Sequence, residues 1–233
     1  MPATRRSAVR APLTRERVLR AAQAIADEGG LDALTMRRLA EDLGVEAMSI
    51  YHHLPNKDAI LDGLLELAFT EIEEEVGGFR AEAAGEEWTG ALRARVLGAR
   101  RVLLIHRWVP VLLETRSVMV PTMARYIDGI VAIMRAGTLS FDLIHHSLHA
   151  LGSRMYGFTQ ELDDAAAAPG GEDLVRMREF VPNLAAMLED VVHDDPDSTL
   201  GWCDDQTEFE FGLDILIDGI EQRRAAEARE DAR

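Results

Sequence analysis

Twenty-three consecutive residues, Thr35 to Lys57 (TMRRLAEDLGVEAMSIYHHLPNK), restrict what this chain can fold into more than any other stretch. Met36, Leu39, Ala40 and Leu43 recur at helical spacing, Gly44 breaks that helix, and Val45, Ile50 and Leu54 carry the apolar stripe onward. Two short helices joined at so tight a turn make a helix-turn-helix. The second helix carries small and hydrogen-bonding side chains outward, the form that enters a DNA major groove.

The remainder of the 233 residues also reads as helical, with no period-2 strand and no internal repeat. Thr14 is placed to cap a first helix with Val18, Leu19, Ala22, Ile25 and Ala26 on one face, stopped at Gly29-Gly30. Thr35 caps the second helix, the third runs from about Glu46 to His53, and Asn56 caps a long fourth that ends near Gly77-Gly78. Further helices are expected over 89–106 and from Pro121 to Gly137, with Pro110 interrupting or kinking the chain between them. Three more follow: from the Ser140 cap to about Leu162, over 172–192 with a bend at Pro182, and over 206–224.

The motif resembles the DNA-binding domain of the TetR family of bacterial transcriptional regulators, most closely its tetracycline-repressor branch. Leu34-Thr35, Arg37-Arg38, Leu39-Ala40, Leu43-Gly44-Val45, Tyr51 and Asn56-Lys57 meet the family pattern without a gap. LLETRS, MRAGTLS, ALGSRMYGF and FEFGLDILIDGIEQ extend the likeness, more diffusely, into the C-terminal half. The resemblance implies an all-α chain with four parts: a basic flexible arm at 1–12, a helix-turn-helix domain at 13–58, an effector-binding and dimerisation domain at 59–224, and a frayed tail at 225–233. It also implies a homodimer held by a four-helix bundle of the 140–162 and 206–224 helices.

A net charge of −16 argues at first against nucleic acid, but its distribution reverses that reading. Residues 1–57 carry nine basic and seven acidic side chains, or +2, and the remainder carries −18. Attraction to phosphate is screened within roughly 10 Å, so a basic end on an acidic body still binds DNA. No run of about 18 apolar residues spans a bilayer. MPATRRSAVRAP lacks the apolar core of a secretory signal, and the single cysteine, Cys203, suits a reducing cytoplasm.

Sequence recognition needs phosphate donors, groups matched to base edges and an apolar back face. Thr35 and Arg37 open one helix, and Ala47, Met48, Ser49, Tyr51, His52 and His53 are the outward candidates on the next. The resemblance implies that Tyr51 and Lys57, the only lysine, hold the backbone while residues 47–49 and 52 face bases. Met48 as core filler and His53 as a packing residue are the competing readings. The tetracycline-repressor branch has Gln and Pro at positions 47 and 48 and Trp at 52, so this operator must differ.

Beyond the motif, two helices are apolar on more than one face. Leu148, Leu151 and Met155 belong to one, and Phe209, Leu213, Leu216 and Ile220 to the other. Helices of that kind are buried on more than one face; a second subunit is expected to supply the extra one, and a well-packed monomeric core is the competing reading. Candidates for an effector pocket are His106, Trp108, Arg116, Met119, Met123, Tyr126, Met134, His149, Tyr156 and Phe158, aromatic, flexible or polar-tipped residues on otherwise apolar helices. Ordinary core packing is the alternative for each.

No cofactor or metal is expected. His145 and His149 stand four apart, but no HExxH accompanies them. The tetracycline-repressor branch holds a magnesium-chelated drug through a His at the position of Leu112. Thr115 and Glu161 stand where other magnesium-side groups occur. The partners expected are double-stranded operator DNA, a small-molecule effector and a second copy of the chain. The rival reading is an all-helical metal- or small-molecule-binding protein or enzyme using the His145/His149 region. No nucleophile elbow, phosphate loop or dinucleotide fingerprint supports catalysis.

Overall fold

Four helix starts are set by side-chain caps. The Thr14 and Thr35 hydroxyls accept the N–H groups of Arg17 and Arg38 at 3.1 Å, the Asn56 carbonyl accepts that of Ala59 at 2.8 Å, and Ser140 accepts that of Leu143 at 3.1 Å. Each satisfies a donor that the first helical turn leaves open. The computed structural model describes residues 12–77, 85–116, 118–160, 171–190 and 205–231. The expected arm at 1–12, except Pro12, lies outside them, as do Glu161 and Cys203.

The described chain is helical, with no strand. Helices α1 (Arg15–Ala33), α2 (Met36–Leu43) and α3 (Ala47–Tyr51) are followed by α4 (Lys57–Glu75). Then come α5 (Trp88–Ile105), α6 (Trp108–Thr115), α7 (Pro121–Ala136), α8 (Phe141–Gln160), α9 (Gly171–Phe180), α10 (Pro182–Asp190) and α11 (Asp205–Asp231). In α1 the helix kinks at Gly30 (φ 71°, ψ 179°) and makes one more turn.

Helix α4 lies at the centre. It packs on α1 on one side and on α5, α6 and α7 on the other, and α11 closes against α5 and α8. Ile60, Leu64, Leu65, Ala68, Phe69 and Ile72 of α4 are all buried. One continuous apolar core therefore runs from Val18 to Ile220. At its far end Arg100 is buried with its guanidinium 4.2 Å above the Phe209 ring, and Arg93 of α5 pairs with Glu210 and Asp214 of α11 at 2.6 and 2.7 Å.

Three expectations are corrected. Pro110 neither interrupts nor kinks a helix, because it occupies the first turn of α6, where no earlier carbonyl awaits its missing N–H. The break falls instead at His106-Arg107. Pro182 begins a new helix rather than bending an old one. The tail expected to fray is helical through Asp231, since Ala, Glu and Arg are strong helix formers and Glu221 pairs with Arg224 one turn earlier at 2.6 Å.

Gly63 marks where α1 and α4 approach most closely: a Cβ there would stand 2.5 Å from a methyl of buried Leu19. Gly63→Ala is expected to destabilise the protein by about 1–3 kcal/mol through overpacking, despite its better helix propensity. Urea unfolding followed by circular dichroism measures this.

Candidate functional site

The turn between α2 and α3 depends on Gly44, whose left-handed backbone (φ 64°, ψ 40°) would strain another residue. Its N–H bonds to the Glu41 carbonyl at 3.1 Å and that of Val45 to Ala40 at 3.0 Å. Ile50 and Leu54 are buried behind α3. The opposite side is accessible: Met48 is 67% exposed, Tyr51, His52 and His53 are exposed, and Ala47 and Ser49 are half-buried. Met48 is therefore a surface side chain and not core filler.

Thr35 keeps its hydroxyl proton for an outside acceptor, because its oxygen is what caps α2. Arg37 projects from the first turn and meets Glu41 only at 3.7 Å, and exposed Lys57 opens α4 beside the Asn56 cap. Other arginines of this region are held in ion pairs at the surface. Arg15 pairs with Glu66 at 2.9 Å, Arg20 with Glu71 at 2.6 Å, and Arg38 with Glu28. A charge count shows none of these pairings, which bridge separate helices.

His106 and Trp108, two of the effector-pocket candidates, sit where α1, α4 and the α5–α6 corner meet, and Trp108 lines a cavity of about 560 Å³ there. The His106 ring is buried, with Nδ1 2.7 Å from Asp27 of α1 and Nε2 2.7 Å from Glu71 of α4. Trp108 donates its indole N–H to the same Asp27 oxygen at 2.6 Å. Glu71 also accepts from Gln23 and Arg20. Burial would raise the Glu71 carboxyl, but the hydrogen bonds from Gln23, His106 and Arg20 outweigh it and hold the group below its ordinary range. The break after α5 points this corner at α1, a direction that no local pattern encodes.

A cavity of about 670 Å³ opens between α7 and α8. Met119, Met123, Tyr126 and His149 line it, whereas Met134 is fully buried in the core. Arg116 lines an adjoining groove of about 350 Å³ that shares Glu114, Met119 and Met123 with the cavity. Its guanidinium reaches Asp58 at 2.8 Å and Asp62 at 2.6 Å, and those carboxylates raise its proton affinity. Glu114 and Ser153 also line it, as does His145, which the sequence offers only for the rival reading. Tyr156 and Phe158 are on α8, but their side chains lie outside the described set.

Of the three magnesium-side positions, Glu161 lies outside the described residues, and the other two are Leu112 and Thr115. Leu112 is buried and has no lone pair, and the Thr115 hydroxyl is donated to the Val111 and Leu112 carbonyls at 3.0 and 3.3 Å.

The residues expected at a subunit contact divide, and Leu216 and Ile220 line an outer groove of α8 and α11. Leu151, Met155, Phe209, Leu213 and Ile220 are buried inside the chain, and Leu148 and Leu216 are partly buried. Among the described residues, the exposed large apolar side chains of α8 and α11 are Phe141, Phe211 and Ile215, 68%, 64% and 55% exposed. Both helices have two apolar stripes. Intrachain packing takes the one in register with α5, a choice that periodicity alone cannot make.

Residues 18–64 match a family profile described as bacterial regulatory proteins, tetR family, and residues 82–224 one described as tetracyclin repressor-like, C-terminal domain. The Escherichia coli tetracycline repressor protein class D is 31% identical over 222 residues, 93% of each chain. The HTH-type transcriptional repressor DrrR1 of Streptomyces coeruleorubidus is 29% identical over 230 residues, 93% of this chain and 82% of that one. Among solved structures, the Streptomyces coelicolor protein ActR in complex with actinorhodin superposes with a TM-score of 0.70 at 26% identity, covering 92% of this chain and 99% of ActR.

His106→Leu removes both imidazole bonds and leaves two largely shielded carboxylates without that donor. It is expected to cost about 1–3 kcal/mol, read from urea titration at neutral pH. Glu71, with a lowered folded pKa, contributes stability above the ordinary glutamate value of 4.5 and loses it as the pH falls through its own. Glu71→Gln should therefore flatten the acid limb of the stability–pH curve.

Proposed function

The chain belongs to the tetR family of bacterial regulatory proteins, and on that premise we propose that it is a one-component repressor with a palindromic operator. It binds as a homodimer and is released when a small, largely apolar effector fills the cavity between α7 and α8. The observation that carries this reading is the outward face of α3. Met48, Tyr51 and His52 stand exposed over buried Ile50 and Leu54, with Lys57 beside them. The similar proteins named above include tetracycline repressors and a structure with actinorhodin bound, so a small-molecule effector is the matching expectation here.

Thr35, Arg37, Tyr51 and Lys57 hold the phosphate backbone in this reading, while Ala47, Met48, Ser49 and His52 face base edges. Ala and Met offer apolar contact to thymine methyls and no hydrogen bond, so thymine is favoured opposite them. The dimer forms through the outer face of α8 and α11, where Ile215, Leu216 and Ile220 line a groove of about 650 Å³ and Phe211 is exposed on the same helix α11. Two recognition helices related by a two-fold axis require half-sites roughly 34–36 Å apart, or a small multiple of that. The protein works in the cytoplasm, where the operator is, and it is not an enzyme.

Selection of random duplex DNA by the purified protein is expected to return a palindrome; failure to enrich any sequence at moderate salt would sink the operator reading. Lys57→Ala should weaken binding to all sequences and lower the salt slope by about 1, whereas Met48→Gln should change which base is preferred. The double variant Phe211→Asp, Ile215→Asp should sediment as a monomer, and an unchanged dimer would move the interface elsewhere.

A further inference from the structure

We propose that His145 and His149 of α8 together bind a divalent transition-metal ion of the zinc, nickel or copper class, whose remaining coordination positions open into the cavity between α7 and α8. The ion site stands on the two side chains themselves; only its opening toward a ligand rests on the reading of that cavity as the effector site. Residues four apart lie one above the other on a helix, so both imidazoles leave α8 on one face. The structure adds what spacing leaves open. Both rings line the cavity, both residues are exposed, and the ring centres are 4.8 Å apart.

That separation is the one a shared ion requires. A metal–nitrogen bond of about 2.1 Å puts a ring centre about 3.2 Å from the ion, and ligands about 90–110° apart then hold their ring centres about 4.5–5.2 Å apart. The ring planes stand 79° to each other, and exposed side chains can turn about Cβ–Cγ until their nitrogens converge. Among the described residues, neither ring has a hydrogen-bond or ion-pair partner that would compete for its lone pair. Two other histidines lack that freedom. His106 has Asp27 and Glu71 at its two nitrogens, and His146 faces Asp142 at 3.8 Å and lines the outer groove of α8 and α11.

Donor chemistry sets the class of ion. Imidazole nitrogen suits zinc, nickel and copper, whereas magnesium and calcium take oxygen ligands. The pair is thus distinct from the magnesium-side positions of the tetracycline-repressor branch, which are Leu112, Thr115 and Glu161 in this chain. Among the described residues no third His, Cys, Asp or Glu joins the two histidines. The ion therefore keeps at least two positions for water or for the oxygen donors of a ligand. No lysine or arginine is among the described lining residues, and the excess of −18 beyond residue 57 draws cations to this part of the molecule. Met123 and Ile127 make the opposite wall apolar. A flat ring with two adjacent oxygens would meet the ion with its polar edge and the α7 wall with its face.

The tag-free full chain, without DNA, is titrated by calorimetry with zinc chloride and separately with magnesium chloride at slightly alkaline pH. One zinc ion per chain is expected with a Kd on the order of 10 µM, and magnesium should give no binding heat. His145→Ala and His149→Ala should each weaken zinc at least about tenfold with the circular dichroism spectrum unchanged, and His146→Ala should leave zinc affinity as it is. Absence of zinc binding, binding that survives in both H145A and H149A, or an equal loss in H146A overturns the proposal and leaves the effector reading standing. A second titration uses 2,3-dihydroxynaphthalene, a flat fluorescent molecule with two adjacent oxygens. It should bind at least about tenfold tighter with zinc present, and H149A should cancel that gain. Met123→Trp, which fills the cavity, should block the diol and spare zinc. If zinc sits on the two histidines but the diol gains nothing, the cavity reading falls while the ion site stands.

Discussion

Helix α4 is buried from both sides, and its carboxylates are the points at which the surrounding helices are held. Arg15, Arg20 and Gln23 reach across from α1 to Glu66 and Glu71, while Arg95, His106 and Arg116 reach from α5 and beyond α6 to Glu73, Glu71, Asp58 and Asp62. Apolar packing brings these elements together but is tolerant of sliding. Charged hydrogen bonds with defined geometry fix the register. Gly63 lets α1 lie close enough for those bonds to form.

That arrangement bears on both proposed surfaces at once. Lys57 opens α4, one residue before Asp58, which Arg116 holds. Tyr126 lines the cavity and packs on Phe69 of α4 with ring centres 6.0 Å apart. A change in the cavity wall therefore meets α4 directly, through Tyr126 and Arg95, and at its first turn through Arg116. The corner at His106 adds a third tie, the one that includes α1. The acidic surplus of the chain is in part this set of anchors, and the −16 net charge is compatible with DNA recognition because Arg37 and Lys57 remain outward.

Much of the site was legible where chemistry is local. The outward positions 47, 48, 49, 51, 52 and 53 follow from Ile50 and Leu54 being the inward ones, because a single short helix has only one way to bury two apolar residues at that spacing. The cavity residues Met119, Met123, Tyr126 and His149 were found as apolar or amphipathic side chains of unusual kind. His106 and Trp108 have the same character and went elsewhere. Their partner Asp27 stands 79 residues from His106 in sequence, beyond the reach of any spacing argument.

The sequence by itself determined the helices, their caps, the Gly44 turn and the polarity of the recognition helix. Those depend on interactions within a few residues, whose energetics are set by residue type and spacing. Only the tertiary structure decided which stripe of α8 and α11 is spent on intrachain packing, leaving Phe211 and Ile215 outside and burying Phe209 and Leu213. It also decided that Pro110 sits in the first turn of α6 instead of breaking a helix, and that three arginines near the motif pair with carboxylates of α1 and α4. In each case a residue had two locally acceptable environments, and the choice lay with long-range packing that joins segments far apart in the chain.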